Sequence, residues 1–201
     1  MKIPRSKSDI LVNDYLEYIE YIKTEPATDL ELIKNTVKIF YHLTDDQFNE
    51  LEYSVIRDMY QIIENILKIE QKLVPFFWVN GEEYGINPNF DDMTFAEMVD
   101  CDTTDIIKQI CILYRPIEKK KGSKYTIKKY EADISIYDEL KNTLTLDIYL
   151  GFIGFFLKIN RDILSSIQNY LMGRATDPEM KKLLELNGVG WDGSMNYVGV
   201  I

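Results

Sequence analysis

Histidine, cysteine, proline and glycine are all scarce in this chain, with one His, two Cys, six Pro and ten Gly in 201 residues. A Ser-His-Asp or Cys-His catalytic group would have to run through His42 in FYHLTDD, the end of a short helix, where a histidine faces the negative end of the helix dipole. Cys101 and Cys111 stand ten apart without a second pair. Neither a disulfide framework nor a zinc site is signalled, and both read as buried thiols. No serine lies in a G-x-S-x-G elbow and no glycine-rich loop leads into Lys-Ser/Thr, which argues against acyl transfer and nucleotide hydrolysis. The residues therefore nominate no catalytic group, cofactor or metal ligand, and the expectation is a protein that is not an enzyme. Few Gly and Pro also mean long regular elements.

Bases are the minority: 23 Lys and Arg against 33 Asp and Glu leave a net charge of −10. Wrapping nucleic acid is driven by clustered Lys and Arg releasing counterions, so this balance makes nucleic-acid contact at most secondary. Nine Phe, 14 Tyr and 46% hydrophobic residues separate the chain from a disordered acidic one. Long apolar runs are short here. YLGFIGFFL is bracketed by Asp147 and Lys158 with ten residues between them; about 15 Å of helix does not cross a ~30 Å hydrocarbon layer. A buried helix is expected, with no membrane span. No apolar stretch follows the basic residues at the N-terminus, so a product kept in the cell that makes it is expected.

Hydrophobic spacing predicts helices from a Ser8-Asp9 cap to Thr24, from Thr28-Asp29 to Phe40, and from a Thr44/Gln47 capping box to about Lys72. At Pro75 the period changes to that of strands. Phe76-Phe77-Trp78-Val79, Asn80-Gly81 and Glu82 to Ile86 spell a β-hairpin. Thr94/Glu97 and the run Asp102-Thr103-Thr104-Asp105 open two further helices, the second carrying Ile106 to Tyr114 and stopping before Pro116. Tyr125-Thr126-Ile127 reads as a short strand pairing with Ile117 or with the first hairpin, and Asp133 to Asn142 is ambiguous. Thr145 opens an apolar helix to about Met172; a short helix from Pro178 to Leu186 and a Gly-rich tail follow. The fold class is mainly α (α+β): a helical domain with an inserted β-hairpin or small antiparallel sheet. The regions are 1–74 (helical), 75–186 (hairpin plus helices) and 187–201 (tail).

Three clusters invite a functional reading. Lys119, Lys120, Lys121, Lys124, Lys128 and Lys129 crowd a Gly-Ser turn, leaving about −16 on the rest of the chain. A solvated loop is one reading; a contact for an acidic partner, DNA or a neighbouring copy is the other. Phe76 and Trp78 alternate onto one side of the hairpin with Phe77 and Val79 opposite, so one set is covered by the fold and the other by the fold or a partner. Asp91, Asp92, Glu97, Asp100, Asp102 and Asp105 are acidic but lack the spacing of a calcium loop, and three of them sit at helix starts. Capping and solubility come ahead of cation binding, and a metal-dependent hydrolase using Asp91, Asp92 and Glu97 is a distant alternative.

The string from FFWVNGEEYGINPNF through the LYRPI helix end, the lysine turn, YTIKKYE and GFIGFFLKINRDIL resembles small virion-associated and tail-assembly proteins of tailed Bacteroidetes phages, crAss-like phages among them. Gly81, Tyr84, Gly85, Pro88, Asn89, Thr94, Glu97, Asp100, Asp102, Thr103, Tyr114, Arg115, Pro116, Phe155 and Phe156 carry the likeness, which spans about residues 75–171. The resemblance implies a non-enzymatic structural or cargo component of the portal or tail region, made in the host bacterial cytoplasm and located in the virion. Its partners would be other phage structural proteins (portal, tail or ring), in multiple copies. A tail assembly chaperone absent from the mature particle is the alternative.

Overall fold

The computed structural model describes residues 3–24, 28–103, 105–132 and 136–174. The chain divides into two compact units, Met1–Ile153 and Gly154–Ile201. Among the described residues are eight α-helices and a four-stranded antiparallel sheet, the mainly α, α+β class expected from sequence.

The first helix, α1, spans Val12–Thr24 and starts later than the Ser8-Asp9 cap suggested. Its leading residues are used elsewhere. The Asp9 carboxylate accepts the Arg5 N–H at 3.0 Å, and Ile10 and Leu11 run extended against the segment before the last helix. There Val12 N–H donates to the Leu144 carbonyl and Leu146 N–H to the Ile10 carbonyl, each at 2.9 Å. Lys7 is buried, with Nζ donating to the Ile69 carbonyl, and burial lowers its pKa. Helix α2, Asp29–Tyr41, opens on a full capping box between Thr28 and Glu31 and ends at His42 in the left-handed region, φ +52°.

The single helix expected from Thr44 to Lys72 is two helices, α3 (Asp45–Asn49) and α4 (Tyr53–Lys68). The buried stripe of α4 is Ile56, Met59, Ile63 and Ile66. Continued backwards at helical spacing, that stripe falls on Glu52 and Asn49, polar residues that cannot be buried there without partners. The Thr44/Gln47 box and Phe48 thus serve a separate short turn. Tyr18 and Phe40 rings meet at 5.4 Å, and Tyr41 Oη donates to the Met59 carbonyl, joining α1, α2 and α4.

Strand β1 (Phe76–Val79) turns into β2 (Glu82–Ile86) through Asn80 and Gly81, both at positive φ (+48° and +81°), the conformation that Asn-Gly favours. Helices α5 (Phe95–Cys101) and α6 (Ile106–Leu113) intervene before β3 (Tyr114–Lys121) and β4 (Lys124–Ile127). Sheet order is β1-β2-β3-β4. Tyr114, expected as the last buried residue of a helix, begins β3 instead: Pro116 excludes a further helical turn, and Tyr114 Oη donates to the Val74 carbonyl at 2.7 Å. Pro116 fits an inner strand because its missing N–H faces the last rung toward β4, where Lys128 N–H donates to the Pro116 carbonyl. The strand at Tyr125 pairs with Ile117 through Ile127, the first of the two partners the sequence allowed.

Helix α7 is Tyr137–Thr143, and α8 runs Leu146–Arg174. The core side of the sheet meets the start of α8 through the Tyr114 and Phe152 rings. The expected helix at 178–186 and the tail at 187–201 lie outside the described residues. No helix among the described residues is long and apolar enough to cross a membrane.

Candidate functional site

Strand register decides which of the nominated side chains share a surface. Pairing Phe76 with Gly85, Gly85 with Arg115 and Ile117 with Ile127 places Phe76, Trp78, Glu83, Arg115, Ile117 and Ile127 on one face. Phe77, Val79, Tyr84, Ile86 and Tyr114 form the other face and are buried. The fold therefore covers the Phe77/Val79 set, while Trp78 stays 67% exposed and Phe76 half-buried.

Lys119, Lys120, Lys121 and Lys124 sit on strands, while Lys128 and Lys129 follow the end of β4. Only the two-residue turn Gly122-Ser123 lies between β3 and β4, with Gly122 at φ +61° as a first turn position of this kind requires. An irregularity between Ile117 and Lys119 shifts the pleat, so Lys120 opposite Tyr125 joins the Phe76 face. Lys119, Lys121, Lys124 and Lys128 take the opposite face. What sequence shows as one patch is thus split across two sides of a hairpin. Lys120 Nζ lies 4.1 Å from the centre of the Phe76 ring and 2.6 Å from Glu83 Oε1. Lys128 pairs with Glu82 at 2.7 Å. Lys119, Lys121, Lys124 and Lys129 have no acidic partner within ion-pair distance among the described residues.

Two residues that the sequence marked only as positions of the phage likeness, without a role, organise this face. Gly85 lies under Tyr125: a Cβ there would stand 2.9 Å from the Tyr125 ring. Without it the ring reaches across β2, meets Phe76 edge-on at 4.9 Å and donates its hydroxyl to the Ile86 carbonyl at 2.6 Å. A glycine inside a strand pattern is the signal that a neighbour approaches closely. Arg115 is the second. Its guanidinium is 2.8 Å from Glu97 Oε1, both side chains nearly buried, which ties α5 to the sheet. Phe95, Met98 and Val99, at i, i+3 and i+4 on α5, stay 83%, 61% and 53% exposed.

Four of the six carboxylates nominated as a cation cluster, Asp92, Glu97, Asp100 and Asp105, go to separate partners. Glu97 accepts the Thr94 N–H and pairs with Arg115; Asp92 accepts from the Asn89 amide. Asp100 accepts from Tyr130 Oη, and Asp105 caps α6 while accepting from Tyr137 Oη. Burial and the Asp100 bond push the Tyr130 phenol up to about 12. Among the described residues no three His, Cys, Asp or Glu side chains converge as metal ligands. His42 ends α2 with its imidazole 3.4 Å from the Asp14 carboxylate, whose pKa burial raises and His42 opposes.

Burial raises Cys101 to about 11 and Cys111 to about 12. Since the thiolate is the nucleophile, alkylation of the folded protein at pH 8 is expected to run roughly two hundredfold slower at Cys101 and about two thousandfold slower at Cys111 than at an exposed cysteine, accelerating only as pH approaches those values. Iodoacetamide labelling followed by mass spectrometry, with a urea-unfolded control, checks this. Labelling at the unfolded rate in native buffer would contradict it.

No protein-family model matches the chain, and neither a curated protein nor a solved structure matches it.

Proposed function

We propose that this protein works without catalysis, as a protein-binding component of a tailed-phage particle, structural or cargo, in its portal or tail region. The observation that carries the binding part is the surface built around Trp78. An indole left two-thirds exposed beside Phe76 and a lysine-capped aromatic cluster, together with the outward Phe95, Met98 and Val99 of α5, is apolar area that a solitary domain gains nothing by showing to water. Aromatic anchors rimmed by charge are what protein interfaces use, and Lys rather than Arg around them suits steering toward an acidic partner. The resemblance of residues 75–171 to virion-associated phage proteins supplies the assembly.

Quantitative mass spectrometry of purified particles tests the reading. Multiple copies per virion are the expected result. Absence from virions combined with co-purification with a tail protein from infected cells would replace it by the assembly-chaperone role; absence from both would overturn it.

A further inference from the structure

Among the described residues, no strand pairs with either outer edge of the sheet. The Ile86 N–H bonds the Pro75 carbonyl and the hairpin closes at Val79 and Glu82, so Pro75, Phe77 and Val79 turn their backbone groups toward β2. Phe76 and Trp78 accordingly point their N–H and C=O groups outward, and no described residue bonds them. At the far edge Lys124 pairs across its turn with Lys121, and Lys128 N–H bonds Pro116, so Tyr125 and Ile127 are the outward-pointing residues of β4. Edge strands left like this pair with another chain unless something prevents it.

We propose that β1 of one copy receives β4 of a second copy, joining their sheets head to tail. Three features of the sheet agree with this. Alternating directions over four strands make β4 of an equally oriented neighbour antiparallel to β1. The outward residues of both edges carry their side chains on the same face: a register pairing Phe76 with Ile127 and Trp78 with Tyr125 of the second copy keeps one continuous pleat. Charge also complements. The open edge of β1 borders a groove of about 430 Å³ whose opposite wall, from α7 and the start of α8, includes Glu139, Asp147, Leu140 and Leu144. That wall lies on the buried side of the sheet, the side on which β4 carries Lys124. A four-residue strand with Lys124, which has no acidic partner among the described residues, on that side matches an apolar groove with two carboxylates.

Such a contact is heterologous: each copy offers one donor edge and one acceptor edge, so a ring or a filament results. It deepens the assembly reading by naming a partner, but it fails separately from it. Virion mass spectrometry decides that reading, and sedimentation of the isolated full-length chain decides this one.

Trp78→Pro removes an outward N–H without breaking a rung of the β1–β2 hairpin, and Ile127→Pro does the same on β4. Wild-type protein is expected to show concentration-dependent oligomers by sedimentation velocity, weakening as salt rises from about 0.05 to 0.5 M. Each proline variant alone should be monomeric, with circular dichroism confirming the fold. Mixed, they should give a 1:1 dimer and nothing larger, because one retains a working β4 and the other a working β1. Glu139→Lys, a surface charge change that spares the backbone, should weaken low-salt association about tenfold. A monomeric wild type, an Ile127→Pro variant that still self-associates, or a Glu139→Lys variant that associates unchanged would each overturn the proposal.

Discussion

Urea unfolding of Glu97→Gln is expected to show a loss of about 3–5 kcal/mol, the largest effect of any single polar substitution in this chain. The side chains of Glu97 and Arg115 are only 5% and 12% exposed. Removing the carboxylate's charge leaves a guanidinium buried without its counterion, and that stranded charge is what costs, not the lost attraction alone. Glutamine keeps an acceptor for the Thr94 N–H, so the capping contribution is largely retained. Thr94→Ala, which removes only the cap, should cost about 1 kcal/mol. Arg115 Nε is itself buried without a hydrogen-bond partner among the described residues, so the pair is incompletely satisfied. The double variant Glu97→Gln/Arg115→Met is therefore expected to recover most of the stability lost by either single change. A cycle in which the two effects simply add would show that the ion pair does not join α5 to β3 as described.

That pair also marks where legibility in the sequence stopped. Thr94-x-x-Glu97 announces a helix start from local chemistry, and the start is where it was expected. Nothing local says that Glu97 has a second employment with Arg115, eighteen positions on, because that depends on β3 lying beside α5. Asn80-Gly81 specified the first hairpin for the same reason that the boxes specified helix starts: the backbone conformation is set by adjacent residues. The break between α3 and α4 was present in the phase of Ile56, Met59, Ile63 and Ile66, which Asn49 and Glu52 interrupt, but a stripe counted forward from Phe48 conceals it. The lysine run was legible as charge and not as geometry. Strand alternation divides it between two faces, and one irregular position near Ile117, which no side-chain pattern in KKKGSKYTIKK displays, decides which lysines join the Phe76 face. Gly85 and Tyr125 meet only through the β2–β3–β4 register. Features fixed by neighbours in sequence were readable; those fixed by neighbours in the sheet were not.

Gly151→Ala carries the second large expectation, and its sign runs against helix propensity. Gly151 lies inside α8, where alanine is favoured by about 1 kcal/mol if nothing else intervenes. Here a Cβ would be driven into the Lys72 carbonyl oxygen, with the Lys72 carbonyl carbon at 3.1 Å and Leu73 Cα at 3.3 Å. All three are backbone atoms of the connection between α4 and β1, so no rotamer change relieves the overlap. Either the helix or that connection must move, and the connection leads into Val74, whose carbonyl receives the Tyr114 hydroxyl. Overpacking of this kind costs about 1–3 kcal/mol after the propensity gain is offset, and more for a branched side chain. For a chain of this size that corresponds to a fall in Tm of roughly 4–10 °C. Gly154→Ala is the internal control, since Gly154 is exposed in the same helix and should show the propensity gain alone. Differential scanning calorimetry of the two variants separates the explanations. Gly151→Ala as stable as Gly154→Ala would mean that α8 does not approach residues 72–73 this closely, and opposite shifts would show that the glycine is there for contact and not for flexibility.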